Sequence, residues 1–209
     1  MEMVMSLQIL GGRAAGFTIE LPAQVNFRPT SVMLRRKLFD AHQDWSQESF
    51  FDVCAGSGAL GMEAYSRGAQ SFFGERDALA LKLLAKNFQA LQKRLACTES
   101  APAIFNTKRA LDFGLGQIRP QFALTLFFDP PYELLATLLP AFLTAVQQQK
   151  ILWQEIWIES DRQKGLTAAV VEAQARQTFS SMIAQSKIVT SGTNFVVKLR
   201  SSNNNASSL

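Results

Sequence analysis

One histidine, His42, is all the imidazole this chain of 209 residues offers, and one histidine cannot build a ligand cluster. Its two cysteines, Cys54 and Cys97, make no C-x-x-C pair and no zinc spacing, so a reduced, metal-free interior is expected. Long apolar runs are missing as well. The opening "MEMVMSLQIL" has no basic flank and is too short for a signal or a membrane span, so a soluble, cytoplasmic protein with no membrane partner is expected. There is no internal repeat. Charge is sparse at 18%, and 21 basic against 17 acidic residues leaves +4, which permits a nucleic-acid partner without demonstrating one. The 47% hydrophobic content suits one globular domain with a sizeable core and a small appendage.

What is present is an alternation of apolar runs and helical patterns. "FFDVC" (50–54), "SFFGE" (71–75), "AIFN" (103–106), "ALTLFFD" (123–129) and "EIWIES" (155–160) read as strands. Between them 59–67, 78–95 and 133–148 read as helices, the middle one with Leu84, Phe88, Leu91 and Leu95 at helical spacing. Near-continuous apolar strands separated by helices predict an α/β fold whose parallel sheet is covered on both faces. "MIAQSKIVT" and "TNFVVKLR" flank Ser191-Gly192, a hairpin signal that adds an antiparallel pair at one side. Residues 1–45 read as a separate piece with a β segment (Leu7–Leu21) and a helix (Ser31–Ala41) capped by Thr30 or Ser31. Residues 46–200 form the main domain, and the small, polar tail 201–209 is expected to be disordered.

The stretch "FFDVCAGSGALGMEAYSRGA" carries Gly56, Gly58 and Gly61 in a G-x-G-x-x-G pattern. Gly56 and Gly58 remove side chains where backbone meets a ligand, and Gly61 permits close packing of helix on strand. A dinucleotide site would set the helix N-terminus against pyrophosphate. Here Asp52 puts a carboxylate near the strand end, which repels phosphate and suits a cationic ligand such as S-adenosylmethionine. Glu75, ending the second strand, can accept ribose hydroxyls in either ligand class.

"FFDPPY" (127–132) sets a carboxylate, rigid backbone and a ring where ligands bind in open α/β sheets. Pro130 and Pro131 lack an N–H and restrict φ, which holds the Pro130 carbonyl outward. Asp129 and that carbonyl can both accept from one exocyclic amine, and Tyr132 can stack on the base that bears it. In that role the ring matters and the hydroxyl does not.

With these motifs the sequence resembles the RsmD family of 16S rRNA guanine-N2 methyltransferases, within the class I S-adenosylmethionine-dependent enzymes. The likeness rests on "GG" (11–12), "RPT" (28–30), "LFD" (38–40), "DVCAGSGALGMEAYSRGA" (52–69), "DPPY" (129–132) and "IWIES" (156–160). It implies a Rossmann-like, seven-stranded, mostly parallel sheet with an antiparallel last strand, helices on both faces and a small N-terminal extension. It implies a monomer that methylates one guanine of 16S rRNA within the small ribosomal subunit or its assembly intermediate. Asp52, Ala55, Gly56, Ser57 and Gly58 would meet the methionine part and Glu75 with Arg76 the ribose. Arg109 and Ala110 would lie at the adenine, Arg109 standing where the family usually offers Asp or Asn. Asp129 to Tyr132 would hold the target base.

Arg28, Arg35, Arg36 and Lys37 form a basic segment with no acid between them. Together with Arg13 after the "GG" they are candidate phosphate contacts. Three other readings share the motifs: an N6-adenine methyltransferase acting on DNA or RNA, an oxidoreductase using the same loop, and a non-catalytic ribosome-assembly factor. No separate target-recognition domain supports the first, and Asp52 with "DPPY" opposes the second.

Overall fold

The computed structural model describes residues 6–21, 30–96, 103–107 and 112–202. Arg28, Arg109, Ala110 and the tail from 203 therefore lie outside the described residues.

A short antiparallel pair, β1 (Ser6–Gln8) and β2 (Thr18–Glu20), stands apart from the main sheet. Helix α1 (Val32–Phe39) follows. Its cap is Ser31, whose hydroxyl accepts the Leu34 N–H at 3.2 Å; Thr30 is used elsewhere. The main sheet contains β3 (Glu48–Asp52), β4 (Gln70–Glu75), β5 (Ala103–Asn106), β6 (Ala123–Phe128), β7 (Glu155–Asp161), β8 (Ile183–Ser191) and β9 (Asn194–Ser201). Their order is β5-β4-β3-β6-β7-β9-β8. The pairs from β5 through β7 are parallel, and β9 runs antiparallel to both neighbours. From the central β3 the chain adds β4 and β5 on one side and then β6 and β7 on the other, which makes the carboxyl end of β3 the switch point where ligands bind in such sheets.

The doubled phenylalanines show why each strand is buried on both sides. Phe51, Phe72 and Phe128 enter one core with α4 (Tyr132–Gln148) and α5 (Ala168–Phe179), while Phe50 and Phe127 enter a second with α1 and α2 (Ala59–Ser66). Phe73 joins a third with α3 (Ala78–Leu95), where Leu84, Phe88 and Leu91 are buried as their spacing predicts. Period-two alternation sends neighbours to opposite faces, so adjacent aromatics serve two layers. The N-terminal segment shares these cores: Ile9 and Ile19 pack with Met62 and Phe88, and Leu38, Phe39 and Trp45 pack with Phe50 and Trp157.

Two expectations change. Residues 168–179 form α5, capped by Thr167, although the pattern there predicts no element. Ser201, assigned to the tail, closes β9 and is buried. Among the described residues no helix is long and apolar enough to cross a membrane.

Candidate active site

The loop after β3 is held by the strands beside it. Val53 N–H reaches the Phe127 carbonyl and Ala55 N–H the Gly74 carbonyl, both at 2.9 Å, so the ladder continues one step beyond Asp52 on each side. The chain then turns through Gly56 (φ 54°) and Gly58 (φ 86°), left-handed conformations that favour glycine, and Gly58 caps α2. A Cβ on Gly61 would lie 2.2 Å from the Phe73 ring, the close helix-on-strand approach its spacing predicts. Gly58 is constrained by packing as well. Its missing Cβ would lie 2.3 Å from Leu84, so packing against α3 and a positive φ require glycine there.

Three acids meet at this edge. Asp52 is buried, and its Oδ2 accepts the Gly61 N–H at 3.1 Å, so the strand's last residue caps the following helix from beneath the loop. Burial pushes its carboxyl up to about 7; the Gly61 N–H opposes this, and Glu75 and Glu159 add to it. Glu75, also buried, accepts Gly56 N–H on one oxygen and the Arg76 and Asp77 N–H groups on the other, each at 2.7 Å. A carboxylate offers about four lone-pair sites, so this set leaves room for one hydroxyl rather than the expected two. Burial, reinforced by Asp129, Glu75 and Asp52, pushes the Cys54 thiol well up, which keeps it protonated and removes it as a thiolate nucleophile.

That electrostatic contact, together with a backbone hydrogen bond joining Asp129 to Cys54, brings the Asp-Pro-Pro-Tyr turn to the glycine loop. Pro130 is buried, while Pro131 (φ −49°, ψ 133°) is exposed and serves as the N-cap of α4, its carbonyl accepting the Leu134 N–H at 2.8 Å. Tyr132 opens the helix half-buried. Its hydroxyl accepts from Asn194 Nδ2 at 2.5 Å and donates toward Glu159 Oε1 at 3.4 Å. Glu159 and Asn194 carry no role in the sequence patterning, and Thr30 is read there only as a cap. Yet Thr30 Oγ1 donates to Glu159 Oε2 at 3.1 Å. The available signal was an acid directly after the apolar run "IWI" and within the same predicted strand, which demands partners if buried.

Among the proposed cofactor contacts Ala55 and Ser57 are buried and Arg76 is exposed; the Ser57 carbonyl accepts from Asn87 Nδ2 at 3.2 Å. The basic segment divides. Arg36 and Lys37 are exposed, Lys37 donating to the Thr190 carbonyl at 2.8 Å, and Arg13 is exposed between β1 and β2. Arg35 does not belong with them. It is 1% exposed, donates to the Gln8 carbonyl at 2.9 Å and lies 3.6 Å from the buried Glu63, so it is an interior tie rather than a phosphate contact. Burial lowers its affinity for the proton and Glu63 restores part of it. Glu63 also accepts from Leu10 N–H at 2.8 Å and pairs with Arg67 at 2.9 Å. The "GG" motif serves the same junction: a Cβ on Gly12 would lie 2.1 Å from the Ser66 carbonyl, so "GG" and "SRGA" are two sides of one contact.

A family model described as conserved hypothetical protein 95 matches residues 7–190. A Haemophilus influenzae protein, ribosomal RNA small subunit methyltransferase D, is 30% identical over 156 residues, which are 73% of this chain and 74% of that one. Among solved structures, an Escherichia coli protein given as the methyltransferase yhhF superposes with a TM-score of 0.68 at 24% identity, covering 95% of this chain and 100% of the other. The Thermus thermophilus 16S rRNA N2 G1207 methyltransferase, in complex with AdoMet and guanosine, superposes with a TM-score of 0.63 at 17% identity, covering 95% of this chain and 50% of the other. With its sheet order, its glycine loop and a family match over most of its length, the chain belongs to the conserved hypothetical protein 95 family, the RsmD family of methyltransferases.

Proposed function

We propose that the protein transfers the methyl group of S-adenosylmethionine to the exocyclic N2 amine of a guanine in 16S rRNA, within the small ribosomal subunit or an assembly intermediate. The observation that carries this reading is the meeting of the Asp129–Tyr132 turn with the glycine loop through Cys54. The name of the Haemophilus influenzae relative supports an rRNA substrate, and the Thermus thermophilus neighbour offers a precedent for this fold with AdoMet and guanosine.

The residues present fit the cofactor. Asp52, Glu75 and Asp129 make the loop's surroundings electronegative, which suits a ligand with an ammonium and a sulfonium and disfavours a pyrophosphate. Asp52, Ala55, Gly56, Ser57 and Gly58 would hold the methionine part, and Glu75 has capacity for one ribose hydroxyl. S-adenosylmethionine supplies an electrophilic methyl group on sulfur. The protein's part is to prepare the nucleophile. A guanine amine is weakly nucleophilic because its lone pair is delocalised into the ring. The Asp129 carboxylate and the Pro130 carbonyl accept its two hydrogens, which favours a tetrahedral nitrogen and frees the lone pair. The methylated nitrogen is strongly acidic, so a carboxylate suffices to receive its proton. Cys54 remains a neutral thiol, so no covalent enzyme–base intermediate forms through it.

The test is incubation with labelled S-adenosylmethionine and small subunits lacking the modification, followed by nucleoside analysis. N2-methylguanosine is the expected product. N6-methyladenosine would replace this reading with the adenine-directed one. Subunit binding with no transfer would leave an assembly factor.

A further inference from the structure

Tyr132 lies at the substrate side of the proposed reaction, and its hydroxyl is engaged in a cluster that the reaction chemistry does not use. Asn194 Nδ2 has two hydrogens. One reaches the Tyr132 oxygen at 2.5 Å and the other Glu159 Oε1 at 3.2 Å. The direct Tyr132–Glu159 separation of 3.4 Å is long for a hydroxyl–carboxylate bond, so the Asn194 amide is the main link. Glu159 is 1% and Asn194 6% exposed, and they meet diagonally across the β7–β9 pair, where Glu159 is registered with Val196 and Asn194 with Asp161. The second Glu159 oxygen holds Thr30, the residue that leads into the α1 cap. One carboxylate therefore ties the N-terminal segment, the last strand and the Tyr132 ring together.

We infer that Glu159 and Asn194 are positioning residues that fix the Tyr132 ring as a ready-made platform for the target base; the reference to a base rests on the function proposed above. A tyrosine held at both its Cα and its hydroxyl loses the freedom of its two side-chain torsions before substrate arrives. The cost of ordering the ring is then met by the fold and not at base capture. Stacking on an extruded base requires that order, and small displacements of a positioning group are costly in rate. The hydroxyl, dispensable for stacking as such, is required for the platform's placement.

The chain has two tyrosines, Tyr65 and Tyr132, so 3-fluorotyrosine labelling gives two fluorine resonances, and Tyr132→Phe assigns them. Asn194→Ala is expected to shift and broaden the Tyr132 resonance while leaving that of Tyr65 in place. In steady-state assays on small subunits, Asn194→Ala and Tyr132→Phe should each lower kcat about tenfold or more. The double variant should be no worse than either single one, and the affinity for S-adenosylmethionine should be unchanged throughout. Glu159→Gln, which keeps an oxygen toward Asn194 and turns an N–H toward the Thr30 hydroxyl, should retain most of the turnover that Glu159→Ala loses. An unmoved Tyr132 resonance in Asn194→Ala, or losses in kcat that multiply in the double variant, would overturn the inference. A wild-type chain that binds S-adenosylmethionine but methylates no RNA would remove the proposed reaction, and the fluorine spectra would still decide whether the tether exists.

Discussion

Asp52 is the residue at which pH should register. Its folded carboxyl, raised to about 7 from the ordinary 3.8, favours the neutral form in the fold. The stability this gives is complete below about pH 4, is lost progressively up to about 7, and does not change beyond it. Ligand-free protein should therefore lose thermal stability across that interval, and Asp52→Asn should flatten the loss while still accepting the Gly61 N–H. A cationic ligand draws the ionised form. Affinity for S-adenosylmethionine should accordingly rise with pH up to about 7 and level off above it, with a proton released to buffer on binding below that point, and the asparagine variant should bind severalfold more weakly and with little pH dependence. Calorimetry in two buffers of different ionisation enthalpy checks both. That an acid stands at this strand end was legible in the sequence. Its helix-capping role was not, because the partner N–H lies 9 residues on and depends on how the loop folds back.

At the scale of elements, the N-terminal hairpin, α1 and α2 are joined by charge as well as by apolar packing. Arg35, Glu63 and Arg67 are each buried, and removing one partner strands the others without solvent. Glu63→Ala should cost about 3–5 kcal/mol, read as a lowered denaturation midpoint. Arg36→Glu, one residue from Arg35 but exposed, should leave stability within about 0.5 kcal/mol. The sheet strands were legible because paired phenylalanines and β-branched residues mark strands buried on both faces. Helix α5 was not, since its buried stripe of Val171, Ala175 and Phe179 is diluted by alanines on its other sides. The inward turn of Arg35 was equally hidden. Four cations in ten residues look alike in sequence, and only the position of Glu63 on α2 separates the buried one from the rest.

For the molecule as a whole, the proposed reaction on a small subunit should rest on shape and phosphate contacts, with the target nucleotide already presented. Arg13 and Arg36 are the exposed cations to test. Arg13→Glu with Arg36→Glu should raise the Michaelis constant for the subunit and reduce its salt dependence by about one logarithmic unit of slope per residue, with cofactor affinity unchanged. Protein-free 16S RNA should be a poor substrate. If it is methylated as well as assembled particles are, presentation is not the source of specificity.

The sheet's order also governs when the molecule can exist. Strand β8 precedes β9 in the chain, yet β9 lies between it and β7, so β8 has no place on the sheet until residues 194–201 have been made. The same strand begins with Asn194, which holds Tyr132, and β8 receives Lys37 from α1 through the Thr190 carbonyl. A nascent chain still attached through this strand has an open β7 edge and a Tyr132 that lacks its Asn194 contact. The Asn194 hold on Tyr132 therefore forms only after residues 194–201 have been made, the last in chain order of the described strands.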